Sequence, residues 1–555
     1  MLSVFFSFLY IGITTFLLGF GVLVFTKKCM GYEIKGIASL FYAGLGVATV
    51  YSGFYSLVAG VNGRANIIMV MGCVAIAVIF RTELGEFFEK QKKHLTKGNL
   101  FCVLILMLLF SYGASRGYLH FDSGLYHAQA IRWIEEYGVV PGLANLHCRL
   151  AYNSSAFSLT ALYSMEFLVG QSLHTVAGFM AMVLCGKALS VVQVISRKKV
   201  LVSDFVKVAL LFYISIIYTE MMSPASDYFA MLFLFYIVLS WIELEEKQEK
   251  NIAAYSMLSV LLAVTVTVKL SAAIMLLMIV KPAVVLLREK RYGQIAVYII
   301  LGILAVFPYL ARNVILSGWL VYPFPSIDLF SFDWKIPMEE ARYDGEEIKV
   351  YAKGMTDVLL KDTPMTQWLP NWFAGLKGLE KIWVLSSVIS VALGVAAMFW
   401  GVVKKNTKQY GMYFIEIILI AGYLFWQIGT PLVRYGYIYI LAFPFFTIGL
   451  WFVTILGEKE KSYLLFAVVL LFFFVYKGSN LVLSIRESAS QDYYVWQRDY
   501  ETWAYDSYEI GEMEFYIPLE SGQIGYDKFP AVPYERYDVE LRGMELKDGF
   551  RRILH

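Results

Sequence analysis

Apolar runs close to 20 residues long recur along most of this chain. Each can cross about 30 Å of hydrocarbon as a helix rising about 1.5 Å per residue. A chain built this way reads as an all-α polytopic membrane protein. Only 16% of the 555 residues are charged, where a soluble domain carries about a quarter. The formal net charge of +3 gives no sign of a nucleic-acid partner. Met1 to Phe25 lacks the basic leader and small-residue cleavage site of a signal peptide and reads as the first retained span. The five cysteines, Cys29, Cys73, Cys102, Cys148 and Cys185, are scattered without metal-ligand spacing. Only Cys148 falls in a long loop, so they imply no disulfide framework.

Basic clusters mark the cytoplasmic side. They occur at Lys27-Lys28, Lys90 to Lys97, Arg197 to Lys199, Arg288 to Arg291 and Lys404 to Lys408, with smaller ones at Lys247-Lys250 and Lys459-Lys461. Threading the apolar runs between them predicts about 14 spans and both termini outside. The expected spans cover 2–26, 37–60, 65–81, 99–116, 173–195, 206–222, 227–243, 251–268, 270–287, 293–312, 382–403, 411–428, 435–455 and 461–477. Three organisational units follow: the first three helices within 1–98, a core over 99–478 with long outer loops at 117–172 and 313–380, and an outer tail over 479–555. The tail is polar and rich in Tyr, Asp and Glu, with turn signals at Pro518, Gly522, Gly525, Pro530 and Pro533. Its alternating Met513-Glu-Phe-Tyr-Ile517 predicts a short strand. It is too small to hold a large core alone.

The candidate chemistry sits on the outer side. From Asp122 the sequence takes helical spacing to Tyr137, with Tyr126, Ala130, Trp133 and Tyr137 on one side and Arg132 and Glu136 spaced to pair. This predicts an interfacial helix with Trp133 at headgroup level. Asp122 at its start has two readings. An N-cap, worth about 1 kcal/mol, needs no chemistry, whereas a carboxylate at the membrane surface can also take a proton from a bound hydroxyl. Four of the six histidines, His120, His127, His147 and His174, fall in this region. His120 and His127 flank Asp122 as phosphate or metal ligands, or as ordinary hydrogen-bonding imidazoles, and their spacing matches no standard zinc pattern.

Asp227, in the turn Ser223-Pro-Ala-Ser-Asp227, shares the outer face, either as a turn residue or as a second acidic element. Lys269, Arg312 and Arg434 lie near the outer ends of apolar runs. Charges there cost at least ~2.5–3.5 kcal/mol and call for a partner or a purpose. Snorkelling or pairing is one purpose; converging on a phosphate is the other.

Taken in order along the chain, these elements resemble the GT-C superfamily of polytopic glycosyltransferases that use polyprenyl-phosphate sugars. The likeness rests on the acidic outer loop from Asp122 to Tyr137, the acidic turn ending at Asp227, the stretch Arg312-Asn313 to Tyr322-Pro323, and Arg434-Tyr435. More closely, the chain resembles a bacterial membrane-protein group within or beside that superfamily, sharing Lys269-Leu-Ser271 and the tail segments Gly525 to Pro530 and Glu540 to Arg551. The resemblance covers about residue 99 to the end.

It implies a GT-C-like core in the bacterial inner membrane, with both termini and the catalytic loops extracytoplasmic. It further implies inverting transfer from a polyprenyl-phosphate-linked sugar to a glycan or lipid-linked acceptor, in cell-surface glycan assembly. Asp122 would be the general base, with His120, His127, Asp227, Lys269, Arg312 and Arg434 as substrate-binding residues. The lipid tail would lie between helices, and Trp334, Trp368 and Trp372 of loop 313–380 would cover the sugar. Many relatives carry paired acids in the first loop, whereas Asp122 stands between Phe121 and Ser123; no cofactor is implied with certainty, and a divalent cation is left open. Two other classes compete: an O-antigen or capsule polymerase or ligase, and a transporter of lipid-linked substrates. Transporters often carry inverted repeats and midplane charges; no repeat is evident here.

Overall fold

The computed structural model describes residues 1–94, 96–404, 409–457, 461–520 and 522–553. Lys405, Lys408 and Lys459 of the basic clusters lie outside the described residues. The chain is a mostly helical polytopic protein with a small stranded tail. Among the described residues, 11 helices are long and apolar enough to cross a membrane, or up to 12 if Gly63–Ile79 and Arg81–His94, bent by 80° at their junction, form one span.

All the stretches expected to span are helical over most of their length, but the count of about 14 is not reached by length and composition. The third is the bent pair. Val202–Ile217 has 16 residues and Ile252–Val268 has 17. Helices of that length reach only about 24–26 Å, short of the ~30 Å core.

The Ser226–Glu246 helix is apolar all round and almost wholly buried, as expected for a helix at the centre of a bundle. It carries Asp227 at one end and Glu243 at the other. The Tyr292–Ser317 and Ser462–Ser488 helices bury few of their apolar side chains. Helix reversals leave Lys27, Lys28, Arg197, Arg288 and Lys404 at one end of the bundle. Asp122, Asp227, Lys269 and Arg434 fall at the other.

The first helices are part of the same core. Phe8 and Phe41 present ring edges to Phe179 at 5.9 and 5.6 Å, and Ser52 Oγ donates to Ser158 Oγ at 3.0 Å. Leu2–Met30 and Ile37–Tyr55 cross with backbones nearly touching. A Cβ on Gly44 would stand 1.8 Å from the Thr15 carbonyl oxygen, and one on Gly19 equally close to that of Leu40. Small residues at a crossing allow such approach.

The tail forms two antiparallel pairs, β1 (Tyr505–Ile510) with β2 (Met513–Pro518) and β3 (Val539–Leu541) with β4 (Phe550–Arg552). Phe515 and Phe550 are both fully buried, and their rings meet edge to face. Beneath them lies the Ala128–Glu136 helix. Trp133, expected at headgroup level, is 1% exposed, with Phe529 at 4.8 Å and Phe550 at 6.0 Å. Arg132 donates to the Tyr526 and Asp527 carbonyls in place of the expected pairing with Glu136. The tail's aromatic residues, far away in sequence, convert an interfacial face into an interior one.

The close crossing makes a direct prediction. Gly44→Ala should cost about 1–3 kcal/mol, the usual penalty of overpacking. Gly72→Ala, where a Cβ meets nothing within 4 Å, should be neutral or stabilising. Thermal unfolding of both variants in detergent checks this, and equal midpoints would exclude the close crossing.

Candidate active site

Asp122 lies near the start of a helical stretch whose residues Ser123–His127 wind as a π turn before Ala128–Glu136 begins. Such turns occur frequently at functional sites. Its carboxylate makes no capping hydrogen bond, so the N-cap reading does not account for it. The carboxylate instead accepts from Arg434 Nη2 at 2.7 Å. Arg434 reaches on through Nε to Asp227 Oδ2 at 3.1 Å, and the other oxygen of Asp227 pairs with Lys269. His120 completes the group. Its ring contacts Arg434 Nη1, its Nδ1 lies 3.6 Å from Asp122 Oδ2, and that same Nδ1 accepts from the Asp122 backbone N–H at 3.1 Å.

Four separate chain segments supply these side chains, and local chemistry sets each. His120 is anchored by its backbone N–H donating to Ser223 Oγ at 3.3 Å, and Ser223 Oγ in turn bonds Ser123 Oγ at 2.7 Å, which ties the first loop to the Asp227 turn. Lys269 is the extended residue between Ile252–Val268 and the 3₁₀ turns of Leu270–Ile279. Its Nζ stands 3.8 Å from the centre of the Tyr435 ring, a cation–π contact. Arg434 sits in the short turn Val433–Tyr435. Trp372 supports that turn by donating its indole N–H to the Pro431 carbonyl at 3.0 Å.

The group is charge-balanced, two carboxylates against two cations, and largely withdrawn from water. Asp227 is 6%, Asp122 16% and Arg434 26% exposed at the side chain. Burial pushes the Asp122 carboxyl up, but the Arg434 guanidinium, with His127 and His120, outweighs it and holds the group below its ordinary value of 3.8. Burial and then the charge of Arg434 keep His120 below its ordinary value, so it is neutral at pH 7. Burial alone would lower Arg434, but Asp227, Tyr435 and Asp122 hold it well above its usual range.

Arg434 occupies the place between the two carboxylates where a divalent cation would bridge them. Among the described residues no three His, Cys, Asp or Glu side chains converge as metal ligands. The residues present therefore do not fit a metal, and the bridging charge is the guanidinium.

Of the residues singled out in the sequence, His120, Asp122, Asp227, Lys269 and Arg434 converge. His127 does not join them. It is buried between Tyr126 and Phe157, with ring centres at 4.4 and 5.1 Å, and burial pushes it down to about 3, a neutral core imidazole. Arg312 also stands apart, donating to Asn153 Oδ1 at 2.8 Å and Ser56 Oγ at 2.6 Å. Trp368 and Trp372 are packing residues, and Trp334 stacks on Phe332 and lies under Arg542 of the tail; none is placed as a cover over the cluster.

Sequence reasoning missed Gln129, whose buried amide clamps the tail. Its Nε2 donates to the Gly525 and Lys528 carbonyls at 3.2 and 2.7 Å, and its Oε1 accepts from Ala531 N–H at 3.1 Å. Nearby, the Gly525 N–H donates to the Gly124 carbonyl at 2.9 Å, two residues from Asp122. Glu135 adds a titrating contact, accepting from Tyr526 Oη at 2.5 Å and Ser172 Oγ at 3.0 Å. Burial raises its carboxyl to about 7. A lone Gln and Glu on the apolar side of an amphipathic helix are the sequence signal for such a clamp.

A family model described as "Domain of unknown function (DUF8201)" matches residues 1–441. The chain belongs to this family. The match takes in the first three helices and every member of the cluster through Arg434. No curated protein and no solved structure matches the chain.

Two expectations arise from this geometry. Removing one member of a buried pair strands the other charge, so Arg434→Gln should cost roughly 3–5 kcal/mol, and adding Asp227→Asn should recover part of it; chemical unfolding of single and double variants tests this. In the wild type, the stability contributed by Asp122, whose value is lowered on folding, is complete above about pH 4 and lost as pH falls through the lowered value. Glu135 runs the other way. Its raised value makes the docked tail most stable below about pH 4.5, with stability declining up to about pH 7. The protection of residues 524–532 against exchange, relative to the base-catalysed rate of an open chain at each pH, should therefore fall between pH 4.5 and about 7, and Glu135→Gln should flatten that fall; an unchanged slope in the variant would remove Glu135 as its source.

Proposed function

We propose that this chain is an inverting membrane glycosyltransferase, moving a sugar from a polyprenyl-phosphate donor to an acceptor hydroxyl on the outer face of the membrane. The observation that carries this reading is the pairing of Asp122 with a cation that also reaches a second buried carboxylate. One ionised base and two cations thus converge at the end of the bundle away from the basic clusters.

In this reading Arg434 has two partners in turn. With no donor present it neutralises Asp122, which then is a weak and occupied base. An arriving phosphate draws Arg434 and Lys269 toward its oxygens by charge-assisted hydrogen bonds, and Asp122 is released. Its carboxylate takes the proton of the acceptor hydroxyl, and the hydroxyl oxygen forms the new bond to the anomeric carbon from the face opposite the phosphate. The carbon–oxygen bond to phosphate breaks, and its electron pair departs on the polyprenyl phosphate. Arg434 and Lys269 then stabilise that charge where it develops. Asp227 keeps both cations aimed, and His120, neutral at pH 7, is placed to hydrogen-bond a sugar or phosphate oxygen.

The test compares purified wild type with Asp122→Asn in lipid, reading polyprenyl phosphate released from a panel of polyprenyl-phosphate sugars. Turnover that falls by roughly 10²–10⁴ in the folded variant supports the base. Equal turnover in both removes Asp122 from the reaction. Donor binding without turnover in the wild type favours a polymerase of whole repeat units or a carrier of lipid-linked substrates.

A further inference from the structure

At the end of the bundle opposite Asp122 lies a second polar group, which the proposed reaction does not use. Lys187 sits within the Val176–Arg197 helix, ten residues short of its basic end, or about 15 Å along the axis. Its Nζ bonds Glu243 Oε2 at 2.5 Å, and Glu243 also faces Lys207 at 3.4 Å. Glu243 lies within one turn of the end of the Ser226–Glu246 helix, so the pair stands where the apolar bundle meets its basic end, a level at which a charged headgroup sits.

The pair lines a small polar cleft together with Lys35, Lys247, Ser39 and Ser240. Its volume is about 60 Å³, several times the ~10–15 Å³ that one water position needs. Of its three lysines, Lys187 pairs with Glu243 and Lys35 stands between Glu249 and Glu33, at 2.5 and 3.7 Å. Lys247 carries no ion pair among the described residues.

Two apolar cavities open from this cleft. One, of about 1040 Å³, shares Gly36, Ala38, Lys187 and Glu243 with it and runs between the Leu2–Met30, Lys97–Arg116 and Val176–Ala188 helices as far as Phe179. From Lys187 to Phe179 is about 12 Å of helix. The other, of about 310 Å³, shares Tyr32, Ser39, Tyr236, Ala254 and Leu258 with the cleft and runs toward Leu304. The larger is a groove open to the surroundings, because Leu9, Ile13, Ile37, Phe88 and Val103 on its walls are all at least 40% exposed. In a spanning bundle those surroundings are lipid.

We infer that this junction is a binding site for an anionic two-chain phospholipid, its phosphate in the lysine cleft and one chain in each apolar cavity. Lys247, the cleft lysine without an ion pair among the described residues, draws the anionic headgroup, and Lys35 at the mouth adds a second donor. The two cavities diverging from it fit two chains, whereas a single polyprenyl chain would fill one. The inference does not depend on the proposed transferase reaction, and the site joins the central Ser226–Glu246 helix at the end away from Asp227.

The experiment uses the full chain in neutral detergent, with the unfolding temperature read against added phosphatidylglycerol, phosphatidylcholine of the same chains, inorganic phosphate, and undecaprenyl phosphate. Phosphatidylglycerol should raise the midpoint saturably, at a concentration at least tenfold lower than phosphatidylcholine, and phosphate alone should do nothing. Lys35→Gln with Lys247→Gln, both exposed and away from the Lys187–Glu243 pair, should weaken the effect at least tenfold. Gly186→Leu, which fills the groove and leaves the lysines in place, should do the same. Equal responses to the two phospholipids, or an unchanged response in both variants, would mean ordinary boundary lipid and overturn the site. A shift with phosphate alone would overturn the lipid as occupant, and a tighter response to undecaprenyl phosphate would overturn the two-chain assignment.

Discussion

The bridge that Arg434 makes between Asp122 and Asp227 holds the site face together. It joins a loop that leaves the Lys97–Arg116 helix, the first turn of the most buried helix, and the turn before the Ile438–Leu456 span. None of these charges is tolerable alone at its depth. Taking an ion out of water costs several kcal/mol even after relaxation, and only good geometry with further hydrogen bonds offsets it. The bridge therefore makes the loop, the central helix and the late turn conditional on one another. A group bound near Arg434 must compete with an arrangement on which local structure depends.

The same loop is gripped from its other side. Gln129 and the Gly124–Gly525 bond fix the tail to the residues that follow Asp122, and Trp133 is packed under Phe529 and Phe550. The tail is too small to bury a core of its own, and it finds one by sharing the aromatic residues of the loop helix. Asp122 thus lies between two clamps, an ionic one toward the bundle and an amide and aromatic one toward the tail. Such support from both sides holds the Asp122 side chain in one position, as a proposed reactive group requires.

The helical, polytopic fold was legible because hydropathy alone demands it, and the strand at Met513–Pro518 because its alternation is local. Helix ends were less so. Val202–Ile217 carries Asp204 and Lys207 within its own first two turns, and Ile252–Val268 stops at Lys269, its C-cap, which turns extended to reach Asp227. The charges at Lys269 and Arg434 stood out as costly in lipid, and that cost is the reason they meet Asp227. Arg312 gave the same signal and has a different resolution: Asn153 and Ser56 bind it, and neutral partners leave no mark in a charge pattern. Trp133 and Gln129 could not be placed because their partners lie some 400 residues away in the tail, a distance measured by Gln129 to Ala531.

The electrostatics bear on what kind of site this can be. A carboxylate held below its ordinary value by a guanidinium is a poor proton acceptor while that pair persists, yet it is fully ionised and ready once the cation moves. A general base works best with its pKa near the operating pH, so a site of this kind gains by linking base strength to occupancy. Withdrawal of Arg434 toward an anion leaves Asp122 with burial as its dominant influence, and burial raises it. In the proposed reaction, the donor's charge thus tunes Asp122 upward as the donor binds. Asp227 contacts both cations, Lys269 and Arg434, and in the proposed reaction it keeps the displaced guanidinium from leaving altogether. By the same proposal an anionic group can trigger that exchange, and a neutral one cannot.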